Sequence, residues 1–368
     1  MIRVVLAIGV ALGLCAFGQT DQRKWKSVYF YDQDQADLIL NDIAAGPKMC
    51  SVAVGMHSHR GRLKPVAVLT SDSAKTWKIV DLKERPRSVF LLTDQAGWMV
   101  TDGGVWRTSD CGQTWEKLYK EKLFARLWFL DEKQGFAAGA PKKLMETADG
   151  GKTWRKVGAA DEPKSNPERT VYSWIYFGST QRGFVGGWHD PERSNEFELP
   201  AWMDPEQAQR RRQRPSLSLI LQTIDGGKSW NATSSSIFGK VTRIKVNSKG
   251  QGLALVEFSA GFEWPSEVFH LVAGKNETVR AFREKDRVVT DVAVWESGAG
   301  LLATLQPPGE LKQMTIPGKV RIFESADLSK WREMPVDYRA VGRRVMLAGK
   351  TPEWVLVATD TGMILRLE

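Results

Sequence analysis

Four histidines occur in the chain, and three of them, His57, His59 and His189 (next to Asp190), lie in segments rich in polar residues. Imidazoles one residue apart, joined by a His–Asp pair, offer nitrogen and oxygen donors for a divalent metal. That spacing is generic, and two distant segments would have to converge. The expectation is therefore surface histidines, with no metal and no cofactor. Arginine makes a stronger pattern. Arg60, Arg62 and Lys64 form one basic cluster, Arg85 and Arg87 a second, and Arg210, Arg211, Arg212 and Arg214 a third, close to Trp202. Arginine beside tryptophan is the usual composition of protein-binding hot spots. Cys50 and Cys111 fall in different stretches with nothing to set their distance, so they read as two separate buried thiols.

These groups sit in a chain of 368 residues that is 42% hydrophobic and 26% charged, with a formal net charge of +9 and 15 tryptophans. Disorder, collagen-like repetition and a polytopic membrane protein are excluded by that balance. Arg3 precedes an apolar run from Val4 to Phe17, shorter than the roughly 20 residues of a membrane span. Ala16-Phe17-Gly18 places small residues before a cut at Gln19, so residues 1–18 read as a signal peptide and the protein as exported, periplasmic or secreted. Acylation of Cys15 is disfavoured by the bulk of Leu14. Retention of the segment as an anchor is left open.

Internal repetition decides the fold. TSDSAKTW (Thr70 to Trp77), TSDCGQTW (Thr108 to Trp115), TADGGKTW (Thr147 to Trp154) and TIDGGKSW (Thr223 to Trp230) align without gaps. SADLSKW (Ser325 to Trp331) is a shorter fifth copy. Asp72, Asp110, Asp149, Asp225 and Asp327 would cap a tight turn. Trp77, Trp115, Trp154, Trp230 and Trp331 would re-enter the core as the next strand begins. The pattern resembles the Asp-box, or BNR repeat, of sialidases and sortilin-type receptors. The first three tryptophans are 38 and 39 residues apart, and each box follows short β-rich runs divided by Gly or Asp turns. Three strands before a box and one after make a four-stranded propeller blade.

The interval from Trp154 to Trp230 reads as one blade with an insertion at about 189–214, and that from Trp230 to Trp331 as two strand sets, the first without a box. Three strands follow Trp331, and Trp25 to Tyr31 supplies the missing fourth. The expected fold is all-β: a single seven-bladed β-propeller of four-stranded antiparallel blades over residues 19–368, the ring closed by an N-terminal strand. Counting antiparallel strands puts the boxes on one face. The second-to-third loops (His57 to Lys64, His189 to Arg214, Ala260 to Ser266, Gln306 to Gly318) and the links between blades then share the other, basic face, where binding is expected.

Over nearly its whole length the chain resembles Asp-box propellers of the photosystem II assembly and stability factor family. That resemblance implies a non-enzymatic scaffold for a protein partner such as a membrane-protein assembly intermediate, and a monomer is expected. Nucleic acid is not an expected partner of an exported protein. The alternative, from the likeness to sialidases, is a glycoside hydrolase acting on an anionic glycan. Sialidases usually carry an F/Y-R-I-P motif, and neither Arg85-Pro86-Arg87 nor Arg321-Ile322-Phe323 matches it. No catalytic residue is assigned.

Overall fold

The computed structural model describes residues 23–33, 35–190, 215–258, 262–272, 278–307 and 316–368. Their strands form seven antiparallel sheets, one per blade. Blade one runs through Ala36–Ala45, Ser51–His59, Arg62–Thr70 and Lys78–Asp81. Blade two spans 86–119, blade three 124–156, blade four 170–237, blade five 239–282 and blade six 288–334. Blade seven takes three strands from 345–367, and its outer strand is Trp25–Phe30, paired with Met363–Leu367. The ring closes as expected. First strands of successive blades touch one another all the way round, so they wall a central channel. No helix among the described residues is long and apolar enough to cross a membrane.

The core is distributed. Among the described residues seven apolar clusters occur, one at each blade junction. Six junctions contain a tryptophan from the start of a fourth strand: Trp77, Trp115, Trp154, Trp230 and Trp331, and in blade seven Trp25, which is fully buried. Full burial of so large a ring, as at Trp25, contributes on the order of 3 kcal/mol, and the five half-buried rings contribute less. Blade five has no such tryptophan, and its junction with blade four has the smallest set of buried residues. There Trp174 reaches across instead, its indole N–H donating to the Val241 carbonyl at 2.8 Å.

The turns before these fourth strands share one geometry. In blade three the Thr147 hydroxyl donates to Asp149 Oδ1 at 2.8 Å and accepts from the Gly151 N–H at 3.0 Å. Asp149 also accepts from the N–H groups of Lys152 and Thr153 and from the Thr153 hydroxyl. The same contacts recur around Asp72, Asp110 and Asp225, and in part around Asp327. Gly150 and Gly151 sit at φ +78° and +97°, where a side chain is strained. Blade one meets the same requirement with Ser73 and Ala74, at φ +62° and +66°.

Two expectations are corrected. Cys50 and Cys111 form a disulfide, with Cα atoms 5.9 Å apart. The turn of blade two leans over blade one, bringing Cys111 onto the start of that blade's second strand and its Sγ within 3.2 Å of the Thr70 carbonyl. The segment His57 to Lys64 is not a long loop: pairing continues to His59↔Arg62, leaving Arg60-Gly61 as a two-residue hairpin turn. Both turn residues have positive φ, which suits a tight hairpin. The insertion expected at about 189–214 lies largely outside the described residues. Its flanks, His189 and Leu217, are paired.

Candidate functional site: a charged belt in the central channel

The rims separate as strand counting requires. In blades one to four the turn bonds the first-to-second loop of its own blade, as in Gly150 N–H to the Lys133 carbonyl at 2.9 Å and Gly226 N–H to that of Gln181 at 2.8 Å. Links between blades meet the second-to-third hairpins on the other rim, where Asp102 N–H bonds the Arg85 carbonyl at 3.0 Å.

One irregularity repeats along the channel wall. The first strands of blades one to six each slip register by one residue, at Asn41, Arg87, Ala125, Ser173, Thr242 and Thr290. A bulge re-aims side chains. Here each slipped residue lines the cavity on the linker side of the channel, which encloses about 460 Å³. Where the bulged strand swings toward its partner there is no room for a side chain: a Cβ on Gly187 would lie 1.8 Å from the Val171 carbonyl oxygen.

The residues after the slips, with their neighbours, form a charged belt. Asp42 of blade one pairs with Arg126 of blade three at 3.1 Å and accepts from the Val89 N–H of blade two at 3.1 Å. Asp291 of blade six lies 3.5 Å from both Arg243 and Lys245 of blade five and accepts from the Val292 and Leu347 N–H groups at 2.9 Å. Arg344 of blade seven adds a cation with no carboxylate partner among the described residues. Glu257 of blade five, which accepts from the Thr242 hydroxyl at 2.8 Å, is a third carboxylate on the linker-side cavity, so four cations face three carboxylates. Burial lowers the pKa of Lys245 and of Arg243, partly offset by Asp291. Burial would raise Asp291, but Lys245, Arg243 and the two N–H donors outweigh it and keep the carboxylate ionised. An excess of partly buried positive charge favours an anion in the channel.

Of the singled-out arginines among the described residues, only Arg87 reaches this channel. It lines the linker-side cavity, pairs with Asp102 at 2.7 Å and donates to the Phe124 carbonyl at 3.3 Å. Arg85 is exposed on the same rim. Arg60, Arg62 and Lys64 are exposed on the outer hairpin of blade one, away from the channel, with Lys64 held to Asp81 at 2.6 Å. Trp202, Arg210, Arg211, Arg212 and Arg214 lie outside the described residues. His57 contacts the Tyr31 hydroxyl, and His189 Nδ1 lies 3.2 Å from the Thr170 hydroxyl. They do not come together, and no metal-holding group of three or more His, Cys, Asp or Glu occurs among the described residues. Reading the loops missed Asp42, Arg126, Arg243, Lys245, Asp291 and Arg344. Polar residues recurring at one point of otherwise apolar strands were the signal for them.

No protein-family model and no curated protein matches the chain. Among solved structures it is similar to YCF48 bound to a D1 peptide, at TM-score 0.57 and 14% identity, covering 92% of this chain and 98% of that one. YCF48 from Cyanidioschyzon merolae aligns at TM-score 0.56 and 14% identity over 94% and 98% of the two chains. The β-propeller domain of the Trilobed protease from Pyrococcus furiosus aligns at 0.51 and 13% identity over 90% and 93%. At such identities the likeness is one of fold.

Proposed function

We propose that this protein is an exported, non-enzymatic propeller that binds a protein partner by taking an anionic peptide segment into the linker-side mouth of its channel. The observation that carries the reading is the charge imbalance of the belt: Arg126, Arg243, Lys245 and Arg344 against Asp42, Asp291 and Glu257, with Arg344 facing no carboxylate of its own among the described residues. Arg87, paired with Asp102, stands at the mouth and presents its remaining N–H groups to an incoming chain. A peptide ligand is in keeping with the similar propeller YCF48, whose structure holds a D1 peptide. The turn motif supports membership of the Asp-box propellers, and the resemblance to photosystem II assembly factors supports a membrane-protein intermediate as the partner. Export has support from the Cys50–Cys111 bond, since disulfides persist in oxidising compartments.

The test is fluorescence anisotropy with acidic, neutral and basic dodecapeptides at low and moderate salt. Acidic peptides should bind, more weakly as salt rises, and Arg344→Glu should weaken them at least tenfold. Equal affinity for all three charge classes would remove the channel as the site.

A further inference from the structure

The turn-side half of the channel has a chemistry that charge alone does not call for. Phe90, Trp128 and Tyr176 come from the first strands of three consecutive blades and form an arc, with ring centroids 4.9 Å and 5.0 Å apart. All three line a cavity of about 170 Å³, a size comparable to cavities that accept a benzene ring. Trp128 stands two residues beyond Arg126 on the same strand. The arc therefore lies one pleat repeat, about 6–7 Å, below the belt. On the far side Lys350 of blade seven crosses blade one and donates to the Leu92 carbonyl of blade two at 2.7 Å, narrowing the turn-side mouth.

We propose that the channel reads a peptide's carboxyl terminus: the α-carboxylate sits on Arg344 beside Arg126 and Arg243, and the last side chain, an aromatic ring, fills the arc of Phe90, Trp128 and Tyr176. This deepens the peptide-binding reading above and rests on it. A carboxylate and a ring one pleat repeat apart belong together on a single terminal residue. An internal Asp or Glu would have to send the chain onward past Lys350 or fold it back inside a space that holds one ring. Burial keeps the Tyr176 phenol protonated, so the arc carries no negative charge toward the incoming carboxylate. Offset and edge-on ring contacts with Trp128 add preference for an aromatic over an aliphatic end.

The experiment uses three fluorescein-labelled decapeptides of one sequence, ending in Phe as the free acid, Phe as the amide, or Ala as the free acid. Binding is measured by anisotropy to residues 19–368 and to Trp128→Ala. The Phe acid should bind tightest, with amidation costing at least tenfold and Phe-to-Ala at least fivefold. Trp128→Ala should erase the Phe-over-Ala preference and keep the acid-over-amide one. Phe90→Leu, a gentler change, should halve the preference or more, and serves if Trp128→Ala does not fold. Acid and amide binding alike would overturn the proposal while leaving peptide binding intact. So would binding of the acidic dodecapeptides with none of these three. Failure of every acidic peptide would overturn both readings.

Discussion

The turn rim and the channel wall are both built once per blade, yet they differ in what they repeat. At the rim the residue types recur: Thr147, Asp149 and Gly151 of blade three correspond to Thr108, Asp110 and Gly112 of blade two, with the same hydrogen bonds. In the channel the backbone slip recurs but the residue after it does not: Asp42, Ser88, Arg126, Trp174, Arg243 and Asp291 in turn. A position that must close a turn tolerates one chemistry. One that only has to face the axis can vary from blade to blade, as a site for an asymmetric ligand of the kind proposed above requires.

The comparison can be broken most severely at the backbone. Gly187→Ala forces a Cβ into the Val171 carbonyl. About 3 kcal/mol of destabilisation is expected, seen as a drop of several degrees in Tm, and a wild-type Tm would mean that the bulge is not held as described. Thr147→Val should come next. It removes the acceptor of the buried Gly151 N–H, costing about 1–3 kcal/mol in urea unfolding while acidic-peptide affinity stays within twofold. Loss of binding there would mean the rim is part of the site.

The channel should behave in the opposite way. Lys245→Met leaves Asp291 with Arg243 and two N–H donors. Stability should be unchanged or up by about 1 kcal/mol, with acidic-peptide affinity down at least threefold by anisotropy. Unchanged affinity would exclude Lys245 from the site.

The smallest effect is pH dependence at the rim. The Thr76 hydroxyl and N–H pull Asp72 down to about 2, and Ser229 does the same to Asp225. Depressed carboxylates stabilise the fold above the ordinary carboxylate pKa and lose that contribution as pH falls toward the folded value. Tm should therefore hold down to about pH 4 and decline between there and pH 2. Thr76→Ala with Ser229→Ala should lower Tm at neutral pH and shrink the decline, since the folded carboxylates then titrate closer to their unfolded value; an undiminished decline would place its source elsewhere.

Much of the ring was legible because its signal is local. A turn needs Thr, Asp and a residue tolerant of positive φ within five positions, so Thr108, Asp110 and Gly112 announce it without reference to the rest of the fold. Trp25 could be placed on blade seven because three strands after Trp331 lacked a fourth. The disulfide was not legible: Cys50 and Cys111 are 61 residues apart, and they meet only because one blade's turn leans over the blade before it. The short hairpin at Arg60-Gly61 is not legible either, because polar residues on exposed strands look like loop residues. Arg126, Arg243 and Asp291 were overlooked because alternation along a strand does not say where a bulge will turn two successive residues the same way.

Turn chemistry and strand rhythm, written over short spans, were enough to specify seven blades and their closure. Which cations and carboxylates share the axis was settled only when those blades closed around it, since Asp42 and Arg126, like Arg243 and Asp291, come from different blades. Burial in that shared, poorly solvated space is what makes their imbalance of charge matter.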